Sequence, residues 1–167
     1  MQQPISFYKN SIVTFSDEVS KLNKQLFSLS LLRITVFVLT AFGLYTFFEN
    51  WTLFFVILIV GISLFLLLLS KYTNIKKQYL LKKQLVAINE EEIKIASGDF
   101  FYKDKGEIYQ DANHNYALDI DLFGRGSFFQ FLDRTATKEG QKKLANALKA
   151  NQIKQIKDRQ QVIKELA

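Results

Sequence analysis

Twenty-one consecutive residues carry no charge: Asn50 to Ser70, NWTLFFVILIVGISLFLLLLS. As a helix rising 1.5 Å per residue this run covers about 30 Å, the thickness of a bilayer's hydrocarbon core. A second apolar run, Leu29 to Phe48, precedes it with Arg33 as its single charge. In a chain of 167 residues, too little protein remains to surround two such helices on every side. The stronger reading is therefore a pair of membrane spans, 29–48 and 50–70, and the weaker one a pair of buried core helices.

So few residues join the two runs that they must turn back as a tight antiparallel hairpin. Lys21, Lys24 and Arg33 mark its start, and Lys71, Lys76, Lys77, Lys82 and Lys83 its exit, while the turn carries only Glu49. The positive-inside rule then places both termini in the cytoplasm and the turn outside. Three residues are candidate anchors. Arg33 can run its guanidinium to the headgroups, Trp51 suits the outer interface along with Tyr45, and Lys71 is the first cation past the second span. Tyr72 suits the inner interface. No small-residue cleavage site follows the first run, which argues against a signal peptide. Gly43 and Gly61 permit close backbone approach, but neither belongs to a GxxxG motif. With no Asp, Glu or His in mid-span, the hairpin reads as an anchor and not as an ion path.

The flanks read as helical, so the expected fold class is all-α. Residues 1–28 form a cytoplasmic N-terminal helix, with Ser16-Asp17-Glu18 as its expected start and Val19, Leu22, Leu26 and Leu29 at helical spacing. Residues 71–96 form an amphipathic helix with Ile75, Tyr79, Leu81, Leu85 and Ile88 on one face. Its lysines read as a solvated, topology-setting flank in preference to a lipid contact. Residues 97–116 form a loop or a short β-hairpin turning at Asp104-Lys105-Gly106. In residues 117–167, Gly124 is a turn residue. Ser127 and Gln130 form a capping box ahead of a short helix through Leu132. Thr137 and Gly140 cap the next helix, which carries Leu144 and Leu148. Ile153, Ile156, Ile163 and Leu166 mark a last helix.

Several chemistries are poorly supported. The chain has no Cys and one His, which leaves no thiolate site, no thiol catalysis and no multi-imidazole metal centre. His114 reads as a hydrogen-bonding structural residue. Asp119 and Asp121 would share a face of an extended segment, yet without a base or nucleophile they make no site. None of the seven Gly begins a P-loop. The chain by itself is read as a non-enzyme with no catalytic, cofactor-binding or metal-binding residue. Beyond Ser70 it carries 18 Lys and Arg against 13 Asp and Glu. That excess is compatible with phosphate contact. Without interleaved aromatic or base-reading groups, Arg125, Arg134 and Lys138 to Lys143 read as ordinary solvated charges.

From Ala117 onward, ALDIDLFGRGSFFQFLDRTATKEGQKKLANAL followed by IKQIKDRQQVIKEL resembles the opening of the core, or lever, domain of the MutS family. Those are ATP-driven DNA mismatch-recognition proteins. The resemblance rests on Leu122-Phe123-Gly124, on Ser127 to Gln130, on Asp133 to Thr137 with Gly140, and on the segment from Ile153 to Leu166. A membrane-bound MutS-related subfamily with an N-terminal two-span hairpin is the nearer likeness, through Ser30-Leu-Leu-Arg33 and Ile88-Asn-Glu-Glu-Glu92. His114-Asn115-Tyr116 stands where that group has His-Pro-Tyr, a departure that bears on the loop's geometry.

The resemblance implies a connector in a bacterial inner membrane protein whose full form would be an ATP-dependent, DNA-binding, mismatch-repair-like ATPase. ATP and Mg would belong to a C-terminal domain beyond this sequence, making the chain an N-terminal piece or a natural truncation. The expected partners are the lipid bilayer, DNA through other parts, and a second copy or a protein partner. The alternative expectation is a stand-alone two-span scaffold that binds a partner protein or itself through Phe128, Phe129, Phe131 and Leu132.

Overall fold

In the computed structural model, which describes residues 4–149 and 156–166, both apolar runs belong to much longer helices, except Phe47, Phe48 and Asn50, which fall in the turn between them. Helix α1 spans Pro4–Thr46 and α2 spans Trp51–Ala96. At 1.5 Å per residue these are roughly 65 and 69 Å long, about twice a bilayer core. Ser16 starts nothing: it lies in mid-helix, because nothing from residue 4 onward breaks the helical run. Two helices long and apolar enough to cross a membrane are thus present, and only 11% of each apolar window is buried within the chain. A soluble core helix is buried by its own protein, so the exposed apolar surface here calls for an apolar surrounding.

The turn is as short as the sequence requires. The Asn50 amide donates to the Phe47 carbonyl, and the Asn50 side chain accepts from the Leu53 amide at 3.3 Å, capping α2. Packing from there is antiparallel. Gly43 meets Ile57, Gly61 meets Thr40, and Glu18 pairs with Lys82 at 2.6 Å. One register therefore runs along the hairpin.

The buried and half-buried positions of α1 include Val19, Leu22, Leu26, Leu29, Arg33, Val36, Thr40 and Gly43, spaced alternately three and four. Those of α2 keep the same rhythm through Leu58, Gly61, Leu68, Tyr72, Ile75, Tyr79, Lys82, Val86 and Asn89. A repeat averaging 3.5 residues is the seam of a left-handed antiparallel coiled coil. It continues through both apolar runs and into the roughly 35–40 Å of helix beyond them. The amphipathic face expected on 71–96 is consequently rotated: Ile75, Tyr79 and Leu85 are half-buried, but Leu81 and Ile88 are exposed.

The second unit, from Ser97, is built around Ala117, Leu122, Phe123, Phe129 and Ala145, with Tyr109, Tyr116, Leu144 and Leu148 packed on them. Its elements are a 3-10 turn at Glu107–Tyr109 and three helices: α3 at Phe128–Leu132, α4 at Lys138–Lys149 and α5 at Ile156–Leu166. The fold is all-α, and no strand occurs among the described residues. The segment 97–116 is the loop of the two alternatives. Asp104 does turn the chain, accepting from the Gly106 amide at 2.8 Å, but the turn leads into the 3-10 helix and not into a returning strand. Gly106 has φ 65 and lies against the Phe129 ring, so a side chain there would meet both backbone strain and a clash. Ile153 lies outside the described residues; Ile156 and Ile163 fall on α5 as expected.

Candidate functional site

The hairpin and the second unit each hold one cluster of the residues singled out in the sequence. In the hairpin, the Thr40–Gly61 and Glu18–Lys82 pairs set the backbone of Arg33 near Leu68. Its guanidinium reaches further, to 4.3 Å from the centre of the Tyr72 ring. Side chains of a helix tilt toward its N-terminus, so an arginine on α1 extends naturally toward the lysine-rich end of the hairpin. The cation is received there by the aromatic face. Arg33 Nε is buried and without a hydrogen-bond partner. Tyr72, expected at the inner interface, is half-buried in the seam.

Trp51 sits at the opposite end, exposed at the start of α2 with its ring 5.9 Å from that of Phe55. Tyr45 is exposed at the same end. Lys71 is exposed beside Tyr72. The hydroxyls of Thr35, Thr40 and Thr46 donate to carbonyls of their own helix, as does that of Thr73, so none presents an unpaired donor to apolar surroundings. Arg33 and Lys71 thus mark one end of the apolar belt and Trp51 the other.

In the second unit the expected turn and cap residues converge around α3. Gly124 has φ 110, a backbone conformation other residues rarely adopt. The Ser127 hydroxyl accepts from the Gln130 amide at 3.1 Å, the first half of the capping box. The second half is shifted by one residue. Gln130 Oε1 accepts from the Gly126 amide at 2.8 Å, while the Ser127 amide donates to Gly124. Gln130 also donates through Nε2 to the carbonyls of Phe101 and Lys103, at 3.2 and 2.7 Å. With its side chain fully buried, this glutamine ties the 101–103 loop to the start of α3.

Asp133 ends α3 and is the residue that sequence reading passed over as a motif letter. Its carboxylate accepts from the Thr135 amide and hydroxyl at 2.9 and 2.6 Å and from Gln141 at 3.0 Å. Burial disfavours its charged form, but these donors, with Lys103 nearby, outweigh burial and hold the carboxyl below its ordinary range. Thr137 accepts from the Gly140 amide at 3.1 Å and caps α4, while Gly140 lies against Thr135 too closely to take a side chain freely. The far end of α4 is capped by side chains. His114 Nε2 lies 2.9 Å from the Lys149 carbonyl, and the Tyr116 hydroxyl donates to that of Leu148 at 3.1 Å.

Two expectations are corrected. Asp121 has φ 47 in a turn, so Asp119 and Asp121 do not form an extended pair. Phe129 is fully buried, which leaves Phe128, Phe131 and Leu132 exposed on α3. Among the described residues no three His, Asp or Glu side chains converge as metal ligands do. In comparisons with known proteins the chain matches no family model, no curated sequence and no solved structure, so the geometry carries the functional argument.

Proposed function

We propose that this chain anchors and connects. The hairpin would hold the protein in a membrane, and the second unit would begin the lever domain of a MutS-related protein. Its full form would bind DNA and hydrolyse ATP with Mg, through parts other than these. The single observation that carries the anchor is the apolar belt left exposed by a two-helix packing, bounded by Arg33 and Lys71 at one end and Trp51 at the other. In this reading both termini lie in the cytoplasm of a bacterial cell and Glu49 lies outside. What supports the connector is that the residues carrying the MutS resemblance serve backbone geometry: Gly124 turns, Ser127 and Gln130 cap, and Thr137 and Gly140 start the next helix.

The test is an immunoblot of native membranes with antibody against the second unit, before and after alkaline carbonate washing. The anchor requires retention in the washed pellet. The connector requires a band several times larger than 19.4 kDa, and membranes whose retention of DNA weakens steeply with salt. A band at 19.4 kDa with salt-insensitive self-association supports the scaffold instead. One observation favours that second reading: Phe128, Phe131 and Leu132 are exposed together on a helix of five residues.

A further inference from the structure

Where the hairpin leaves its apolar belt, the seam opens into two cavities that share Ser30. One, of about 530 Å3, is lined by Lys24, Ser30, Tyr72, Lys76 and Tyr79 among others. The other, of about 390 Å3, is lined by Ser30, Arg33, Ile34, Phe37 and Phe65. Three cations thus border adjoining spaces, one of which continues into an apolar groove. Two of them address the same ring: Arg33 lies 4.3 Å and Lys76 6.0 Å from the Tyr72 centroid.

No acid on either helix answers them. Between Glu18 and Glu49 on the first arm of the hairpin, and between Glu49 and Glu90 on the second, there is no Asp or Glu. Like charges gathered beside apolar surface repel, and one nitrogen of the Arg33 guanidinium, Nε, is buried without a hydrogen-bond partner. An anion from outside would relieve both. The larger cavity, apolar over much of its wall, carries the hydroxyl residues Ser30, Tyr72 and Tyr79 and the ammonium groups of Lys24 and Lys76 for a phosphate, and the groove at Ile34, Phe37 and Phe65 offers a path for a hydrocarbon chain.

We propose that Lys24, Ser30, Arg33, Tyr72 and Lys76 form a binding site for the phosphate headgroup of an anionic phospholipid, with an acyl chain along Phe37 and Phe65. The inference rests on the membrane reading above. It replaces the view of these lysines as merely solvated charges that set topology, since a solvated flank needs neither a cavity nor a shared aromatic ring.

The test uses the full chain in neutral detergent micelles, titrated with a short-chain phosphatidylglycerol, the matching phosphatidylcholine, and glycerol phosphate as a headgroup alone. Saturable binding of the first is expected, with the other two much weaker. Lys24→Gln and Lys76→Gln, both exposed and tolerable to the fold, should each weaken it about fivefold. Lys83→Gln, equally exposed but outside both cavities, should leave it unchanged. Equal binding of the two phospholipids overturns the proposal, as does an equal loss in Lys83→Gln. Glycerol phosphate binding as tightly as the lipid also overturns it, by assigning the site to a soluble phosphate ester. Carbonate washing of wild-type membranes is scored separately: release into the supernatant sinks the anchor itself, whatever the titration gives.

Discussion

Gln130 shows how much a single buried polar side chain can organise. Its amide meets two carbonyls and one backbone amide with no solvent to replace them. Gln130→Ala leaves those groups short of partners and should cost about 3 kcal/mol, read as a lowered denaturation midpoint of the tyrosine near-ultraviolet dichroism. An unchanged midpoint would mean that the loop at 101–103 is held by other contacts. Asp133 makes the complementary case through pH. Its folded-state affinity for a proton lies below the ordinary one, whose midpoint is 3.8. Its contribution is therefore fully present above that value and is lost as pH falls through the lower, folded-state midpoint. Asp133→Asn should remove this acid-dependent part of the stability, so that the gap between wild type and variant is constant above pH 3.8 and closes as pH falls below it. Parallel profiles across the acid range would show that the carboxylate's hydrogen bonds carry no charge-dependent stability. The Ser127 half of the capping box was legible in the sequence; that Gln130 reaches the Gly126 amide and not that of Ser127 was not. Asp133 was legible only in part: Thr135, two residues on, is a local turn partner, while Gln141 is brought in by how α4 meets the end of α3.

At the scale of elements, the two long helices are held by their seam more than by surface charge. Leu26 is buried in that seam, whereas Glu18 and Lys82 remain 41% and 30% exposed in their side chains. Leu26→Ala should cost about 2 kcal/mol or more. Glu18→Gln should cost less than about 1 kcal/mol, because exposed ion pairs are screened and lose side-chain entropy. Unfolding in denaturing detergent, followed by the fluorescence of Trp51 as the one tryptophan, ranks the two. The reverse ranking would place the hairpin's cohesion in its charges. The two long apolar helices were plain in the sequence, but their register was not. Within an unbroken apolar run every face is hydrophobic, so a period of 3.5 leaves no contrast between seam and lipid side. The usable signal lay in the exceptions. Arg33, Thr40 and Gly43 fall seven and three residues apart, on the same stripe as Leu22, Leu26 and Leu29. For the same reason Ser16 was read as a helix start: a capping residue is also tolerated on the exposed face of a long helix, where Ser16 sits.

For the molecule as a whole, orientation in a bilayer would decide what each end of the hairpin can meet. The cations cluster at the end that carries both long extensions, and the turn carries one acid, so moving the turn across costs least. The opposite orientation would carry two helical extensions, each about 25 residues with several lysines, across the hydrocarbon. Because the chain has no cysteine, single introduced thiols report position without background. Glu49→Cys should react with an impermeant maleimide applied to intact spheroplasts. Lys9→Cys and Lys94→Cys, exposed on the two extensions, should react only after the membrane is opened. Full labelling of Lys9→Cys in intact spheroplasts would invert the topology. The second unit, with its acid-sensitive Asp133 knot, would then work outside the cell, and a lever feeding an ATPase would be untenable. Protection of all three until lysis would mean that the turn never crosses, leaving the hairpin inserted from one face as a wedge. Only labelling confined to Glu49→Cys is consistent with an anchor whose cationic end stands at the inner leaflet, where anionic lipid is within reach of Arg33, Lys24 and Lys76.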